Sequence, residues 1–151
     1  MEAAEFLGHV AVTLPDLRIA SVGGNHFLHY GPHGKIPKAR LPFATALTSD
    51  PRDRTSRLDR PGVWRLSINL AKPRYRELFG AFPAASPRAG SLAAGYDFSE
   101  LDRILPHPTD APQGWICVLN PGSTWPRVEQ LLLEAYENTV RKHSVALRLA
   151  A

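Results

Sequence analysis

A single histidine held between two prolines, Leu105-Pro106-His107-Pro108, is the residue best placed to do chemistry. Each proline fixes its own φ and restricts the residue before it, so His107 sits on a stiffened backbone just ahead of an apolar run. An imidazole titrates near neutrality, which suits an acid/base or hydrogen-bonding group at a pocket mouth. The alternative is a loop histidine that only caps a backbone carbonyl. A second set lies in Val63–Leu70, where Arg65, Ser67 and Asn69 recur at period two and so project from one face of a strand. If other elements cover that face, the three form an anion-recognising set with the Arg65 guanidinium as its fork. If the face meets solvent, they are the polar side of an ordinary amphipathic strand. Trp64 and Trp115 are the candidate apolar walls of a pocket with His107.

Other groupings exclude chemistries. His26-x-x-His29 has the look of a metal pair, but odd spacing on a strand sends the rings to opposite faces, and His33 supplies no second pair. No metal is expected. Ser123 and Thr124 lead a helix as N-caps, without a nucleophile elbow or a glycine-rich phosphate loop, so no cofactor is expected either. Asn120, just ahead of a turn, reads as a local cap. Cys117 is the only cysteine and lies within an apolar run, the setting of an inert buried thiol in a reducing compartment. Any catalysis would then be cofactor-free proton transfer.

The net charge of +4 and isoelectric point of 9.6 raise the question of nucleic acid. The basicity is local. Residues 50–76 hold eight basic residues against three acidic ones, a surplus of five, whereas residues 77–137 hold three against eight. In the 50–62 loop, Asp50, Arg52, Asp53, Arg54, Arg57, Asp59 and Arg60 alternate closely enough to pair among themselves. Arg60, anchored by Pro61-Gly62, and Arg65 are therefore expected, ahead of Arg52 and Arg54, to contact an anionic ligand.

The elements that must position these residues follow from periodicity. Ala3, Phe6, Leu7, Val10 and Leu14 recur at helical spacing up to Pro15. Leu17 to Val22 and His26 to Tyr30 read as strands around a Gly23-Gly24-Asn25 turn. Phe43 to Thr48 and Val63 to Leu70 are further strands, and Pro73 and Gly80 bracket a short helix. Residues 81–96 are rich in alanine, proline, serine and glycine and read as a loop; Asp97 and Glu100 have capping-box spacing for a helix through Ile104. Trp115 to Leu119 is a strand, and an amphipathic helix runs from about Thr124 to His143. With 151 residues, 44% of them hydrophobic, the chain suits one α+β domain over 1–151: a mainly antiparallel sheet with helices packed on one face. The start Met-Glu-Ala-Ala-Glu-Phe-Leu is unlike a secretory signal, and no apolar run would cross a bilayer, which predicts a cytoplasmic protein without a membrane partner. Nothing in the pattern sets an oligomeric state.

Three stretches carry a resemblance: Arg57-Leu58-Asp59-Arg60-Pro61-Gly62-Val63-Trp64-Arg65-Leu66-Ser67-Ile68-Asn69, then Leu101-Asp102-Arg103-Ile104-Leu105-Pro106-His107-Pro108, then Gly114-Trp115-Ile116-Cys117-Val118-Leu119-Asn120-Pro121-Gly122. Together they resemble an actinobacterial family catalogued as a domain of unknown function. The order of elements is similar to that of the broader MmcQ/YjbR group, which implies a frataxin-like α+β fold and a DNA-binding role assigned by structural analogy. Where the close family usually has Val-Tyr after His-Pro, this chain has Thr109-Asp110.

Two functions follow as expectations. One is a small-molecule site, contacted by Arg60 or Arg65 if the ligand is anionic, formed by Trp64, Arg65, Ser67, Asn69, His107 and Trp115 between the polar strand face, the 104–115 loop and segment 81–96. The other is DNA binding by the basic 50–76 segment.

Overall fold

The computed structural model describes residues 1–36, 40–81 and 95–150. Most of segment 81–96, expected to cover the pocket, lies outside them. Among the described residues the chain forms three α-helices, α1 (Ala3–Thr13), α2 (Lys72–Phe79) and α3 (Trp125–Ala150). It also forms six strands: β1 (Leu17–Val22), β2 (Asn25–Tyr30), β3 (Ala44–Leu47), β4 (Arg65–Asn69), β5 (Leu105–Pro106) and β6 (Trp115–Leu119). The strands make one antiparallel sheet in the order β1-β2-β3-β4-β6-β5. This is the expected α+β class.

Local chemistry accounts for most boundaries. Gly23 and Gly24 both take positive φ, 55° and 80°, as the two-residue turn between β1 and β2 requires. Pro73 opens α2, where a missing N–H costs nothing, and Gly80 closes it at φ 80°. α3 runs seven residues past its expected end at His143, because nothing in Ser144–Ala150 breaks a helix. The helix expected from Asp97 to Ile104 does not form. The Asp97 carboxylate instead accepts from the N–H and hydroxyl of Ser99 in a turn, and Leu101 bridges to Leu119.

The register sorts the sheet into two faces. Leu28, Ala44, Ala46, Leu66, Ile68, Ile116 and Val118 meet Phe6 and Val10 of α1, Tyr75 of α2 and Val128, Leu131, Leu132 and Ala135 of α3 in one buried cluster. All three helices thus contribute to the core on one face, and each fully buried Leu, Ile or Phe there stabilises the fold by about 1.5–3 kcal/mol. The opposite face carries Phe27, Thr45 and Leu47, Arg65, Ser67 and Asn69, Trp115 and Cys117. That face is covered by loops. Leu58 and Val63 cluster with Leu47 and Leu119, and Tyr96 and Phe98 with Leu105 and Cys117.

Candidate functional site

Every residue of β4 except Asn69 is buried, so its polar side chains must find partners inside the protein. Arg65 is completely buried. Its Nε donates to Ser67 Oγ at 3.2 Å, one terminal nitrogen to Asp53 at 2.7 Å and Ser56 Oγ at 3.2 Å, and the other to Asp50 at 2.6 Å. Two carboxylates from the 50–62 loop therefore close on one guanidinium of the central sheet, which pulls the loop over the face. For Asp53, burial alone raises the pKa. Hydrogen bonds from Ser56 and Thr55, with the Arg65 charge, outweigh burial and hold the carboxyl below its usual range.

His107 is buried by the loop that follows β5, where its N–H donates to Trp115 O at 3.0 Å and so extends the ladder beyond Pro106. Its Nδ1 accepts the backbone N–H of Thr109 at 3.2 Å and of Asp110 at 3.0 Å, with Thr109 Oγ1 at 3.3 Å. The ring thus caps amide groups rather than a carbonyl. A neutral imidazole carries one hydrogen, and with Nδ1 serving as acceptor that hydrogen is on Nε2. Burial, then the charges of Arg65 and Arg52, hold the pKa of His107 well below the usual imidazole range, and Nδ1 protonation would also set two backbone donors against a third. Nε2 has no hydrogen-bond partner among the described residues, yet no buried side-chain nitrogen or oxygen there is left unpartnered. Nε2 is therefore reachable from open space.

His107 lines a cavity of about 470 Å³ over the loop-covered face, together with Arg65, Ser67, Asn69, Trp115, Phe27, Leu41, Pro42, Thr45, Leu47, Arg52, Asp110 and Gln113. Arg52 reaches across it from the 50–62 loop to the Asp110 carboxylate, at 3.1 and 3.4 Å. Ser67 Oγ already accepts from Arg65, which leaves its own hydrogen to donate.

Five of the residues proposed from sequence meet here, and two do not. Trp64 is one position out of phase with Arg65 and turns to the helical face, where it stacks on Phe6 at 5.3 Å and donates from Nε1 to Met1 O at 3.0 Å. Arg60 gives its guanidinium to the carbonyls of Ser56, Arg57 and Ser99. Arg52, ranked below Arg60 in the sequence reading, is the arginine that lines the cavity beside Arg65. Its place there depends on Asp110, 58 residues away, a partner no local pattern encodes. The charges of Asp50 and Asp53 next to an arginine-bearing strand are a sequence signal for this cluster, but their buried partner is Arg65, outside the loop.

The remaining candidates have structural partners. Asn120 accepts from Trp64 N and donates to Gly62 O, a long-range clasp rather than a local cap. Ser123 and Thr124 donate their hydroxyls to Asp102, which also accepts from the N–H groups of Gly122, Ser123 and Thr124. Burial pushes the Cys117 thiol up to about 12, which keeps it in the protonated, weakly nucleophilic form. His26 and His29 lie three apart on β2, paired with Ser21 and Arg18, and so point to opposite faces of the sheet. Among the described residues no group of three His, Cys, Asp or Glu could hold a metal ion, and no helix is long and apolar enough to cross a membrane.

Comparison with known proteins returns no match among curated proteins or solved structures. A family model does match, over residues 1–148, and the chain belongs to that family, the family of unknown function DUF6194.

Proposed function

We propose that this domain binds a small molecule in the cavity over the loop-covered sheet face, with His107 as a fixed hydrogen-bond donor. The observation that carries this reading is that His107, buried and with its Nδ1 occupied as an acceptor, has no partner for Nε2 among the described residues and lines a cavity that also offers Ser67, Asn69 and the Trp115 ring. If the domain is an enzyme, this imidazole polarises a carbonyl or holds a developing oxyanion, because proton shuttling at Nε2 would need a hydrogen on Nδ1. A ¹⁵N-detected fragment titration tests the reading. The amide signals of Ser67, Asn69 and Trp115 should move together, and fragments that bind only elsewhere would refute it.

The second reading, DNA binding by the 50–76 segment, rests on the MmcQ/YjbR-like order of elements and the local charge surplus. It has less support, because Arg52, Arg60 and Arg65 direct their donors to Asp110, to backbone carbonyls and to Asp50 with Asp53. It requires an affinity that falls steeply with salt.

A further inference from the structure

Resting on the reading of this cavity as a ligand site, we infer that its ligand is an uncharged molecule that presents a carbonyl or similar oxygen acceptor to His107 Nε2–H and the Ser67 hydroxyl, and that carboxylates and phosphates are selected against.

The first argument is charge. Arg52 and Arg65 line the cavity, and both are already matched: Arg65 by Asp50 and Asp53 at 2.6 and 2.7 Å, Arg52 by Asp110 at 3.1 Å. Two guanidiniums against three carboxylates leave the cluster that lines and backs the cavity at −1. Among the described residues that line the cavity, an entering anion would find no cation without a carboxylate partner: Arg65 is held in a buried pair, and at Arg52 the anion would sit beside the Asp110 carboxylate. The arginines are visible in the sequence, whereas their carboxylate partners are set by the fold.

The second argument is hydrogen-bond polarity. The Nε2–H of His107 can only donate, since Nδ1 is held as acceptor by Thr109 and Asp110. Ser67 Oγ accepts from Arg65 Nε and has its hydrogen left over. Both groups call for an acceptor on the ligand. An ammonium would bring donors to the two donors His107 Nε2–H and Ser67 hydroxyl. Phe27, Leu47 and Trp115 in the same lining suit the apolar body of such a molecule.

The test is a titration of ¹⁵N-labelled protein near neutral pH with matched amide and carboxylate pairs: benzamide and benzoate, nicotinamide and nicotinate, indole-3-acetamide and indole-3-acetate. The amides should shift the signals of Ser67 and Trp115 with a Kd at least about tenfold below that of their carboxylates, the difference expected when a buried charge lacks a partner. A His107→Ala chain loses the acceptor that closes the loop and can fail to fold. His107→Asn is the informative variant, because an asparagine oxygen falls near the Nδ1 position and keeps the two backbone bonds while the Nε2–H is removed. That variant should retain the wild-type spectrum outside the cavity and lose amide binding by tenfold or more. Carboxylates that bind the cavity as tightly as the amides would overturn the inference and leave the site reading standing. Undiminished amide binding by His107→Asn would likewise overturn it. If neither series moves a cavity signal, both the inference and the site reading fall.

Discussion

The Arg65 guanidinium and the Asp53 carboxylate meet at 2.7 Å with neither side chain exposed, and Asp50 takes the other terminal nitrogen at 2.6 Å. A central strand thereby holds a loop that begins fifteen residues before it. Removing the cation strands two buried carboxylates, which costs far more than the pair itself contributes. Arg65→Met should lose about 3–5 kcal/mol in urea unfolding and raise amide exchange across residues 50–62. A loss under about 1 kcal/mol would mean that the loop is held by other contacts.

Arg52 makes the contrasting case. Its guanidinium is exposed although it bonds Asp110 at two distances, 3.1 and 3.4 Å. Exposed pairs contribute about 0–1 kcal/mol, so Arg52→Ala should shift the unfolding midpoint little. The two arginine variants measured side by side separate a fold-holding arginine from a cavity-rim one. Equal losses would contradict the assignment.

Asp102 sits in the left-handed region at φ 54° and accepts five hydrogen bonds from residues 122–124 at the start of α3. Asp102→Ala loses the cap, worth about 0.5–2 kcal/mol, and incurs the left-handed backbone penalty of about 1–2 kcal/mol. Asp102→Asn tolerates the same backbone and keeps an acceptor, so it should lose less than alanine does. Calorimetric melting of the two variants decides this, and an alanine variant as stable as the asparagine one would refute the capping role.

Acid sensitivity has a defined sign both for the buried or capping carboxylates and for His107. For Asp102, burial raises the pKa, but hydrogen bonds from Ser123, Thr124 and Gly122 lower it further, so the folded value lies below the ordinary 3.8; Asp53 is depressed as well. Their contribution is complete above that ordinary value and is lost as pH falls through the lower folded ones. His107 acts earlier. Its folded pKa lies well below 6.5, so between the two values the unfolded chain binds the extra proton and stability falls with acidification. The wild type should lose stability below about pH 6.5, and His107→Asn should not show that component. Parallel urea midpoints from neutral pH down to about pH 5 would show it, and superimposable curves would argue against a neutral buried His107.

Much of the architecture is legible in the chain because it is encoded locally. Gly23-Gly24 demands positive φ, Pro73 and Gly80 mark the ends of α2, and the alternation from Val63 to Leu70 separates Arg65, Ser67 and Asn69 from Trp64, Leu66 and Ile68. The same alternation already placed Trp64 opposite Arg65, so its place outside the cavity was readable from the pleat. The Asp97–Glu100 spacing misled because the Asp97 carboxylate has a nearer use, the N–H and hydroxyl of Ser99, and the chain after it turns to bridge Leu119.

The site was legible only as a set of side chains on one face. Whether that face met water, an anion or another part of the chain depended on Asp50 and Asp53 closing on Arg65 and on Asp110 reaching Arg52. The chemical role of His107 depended on which of its nitrogens the loop's own amides would occupy. Such choices belong to the tertiary structure for one physical reason. A buried donor or charge takes whichever partner satisfies it without water, and that partner is fixed by the packing of segments far apart in sequence.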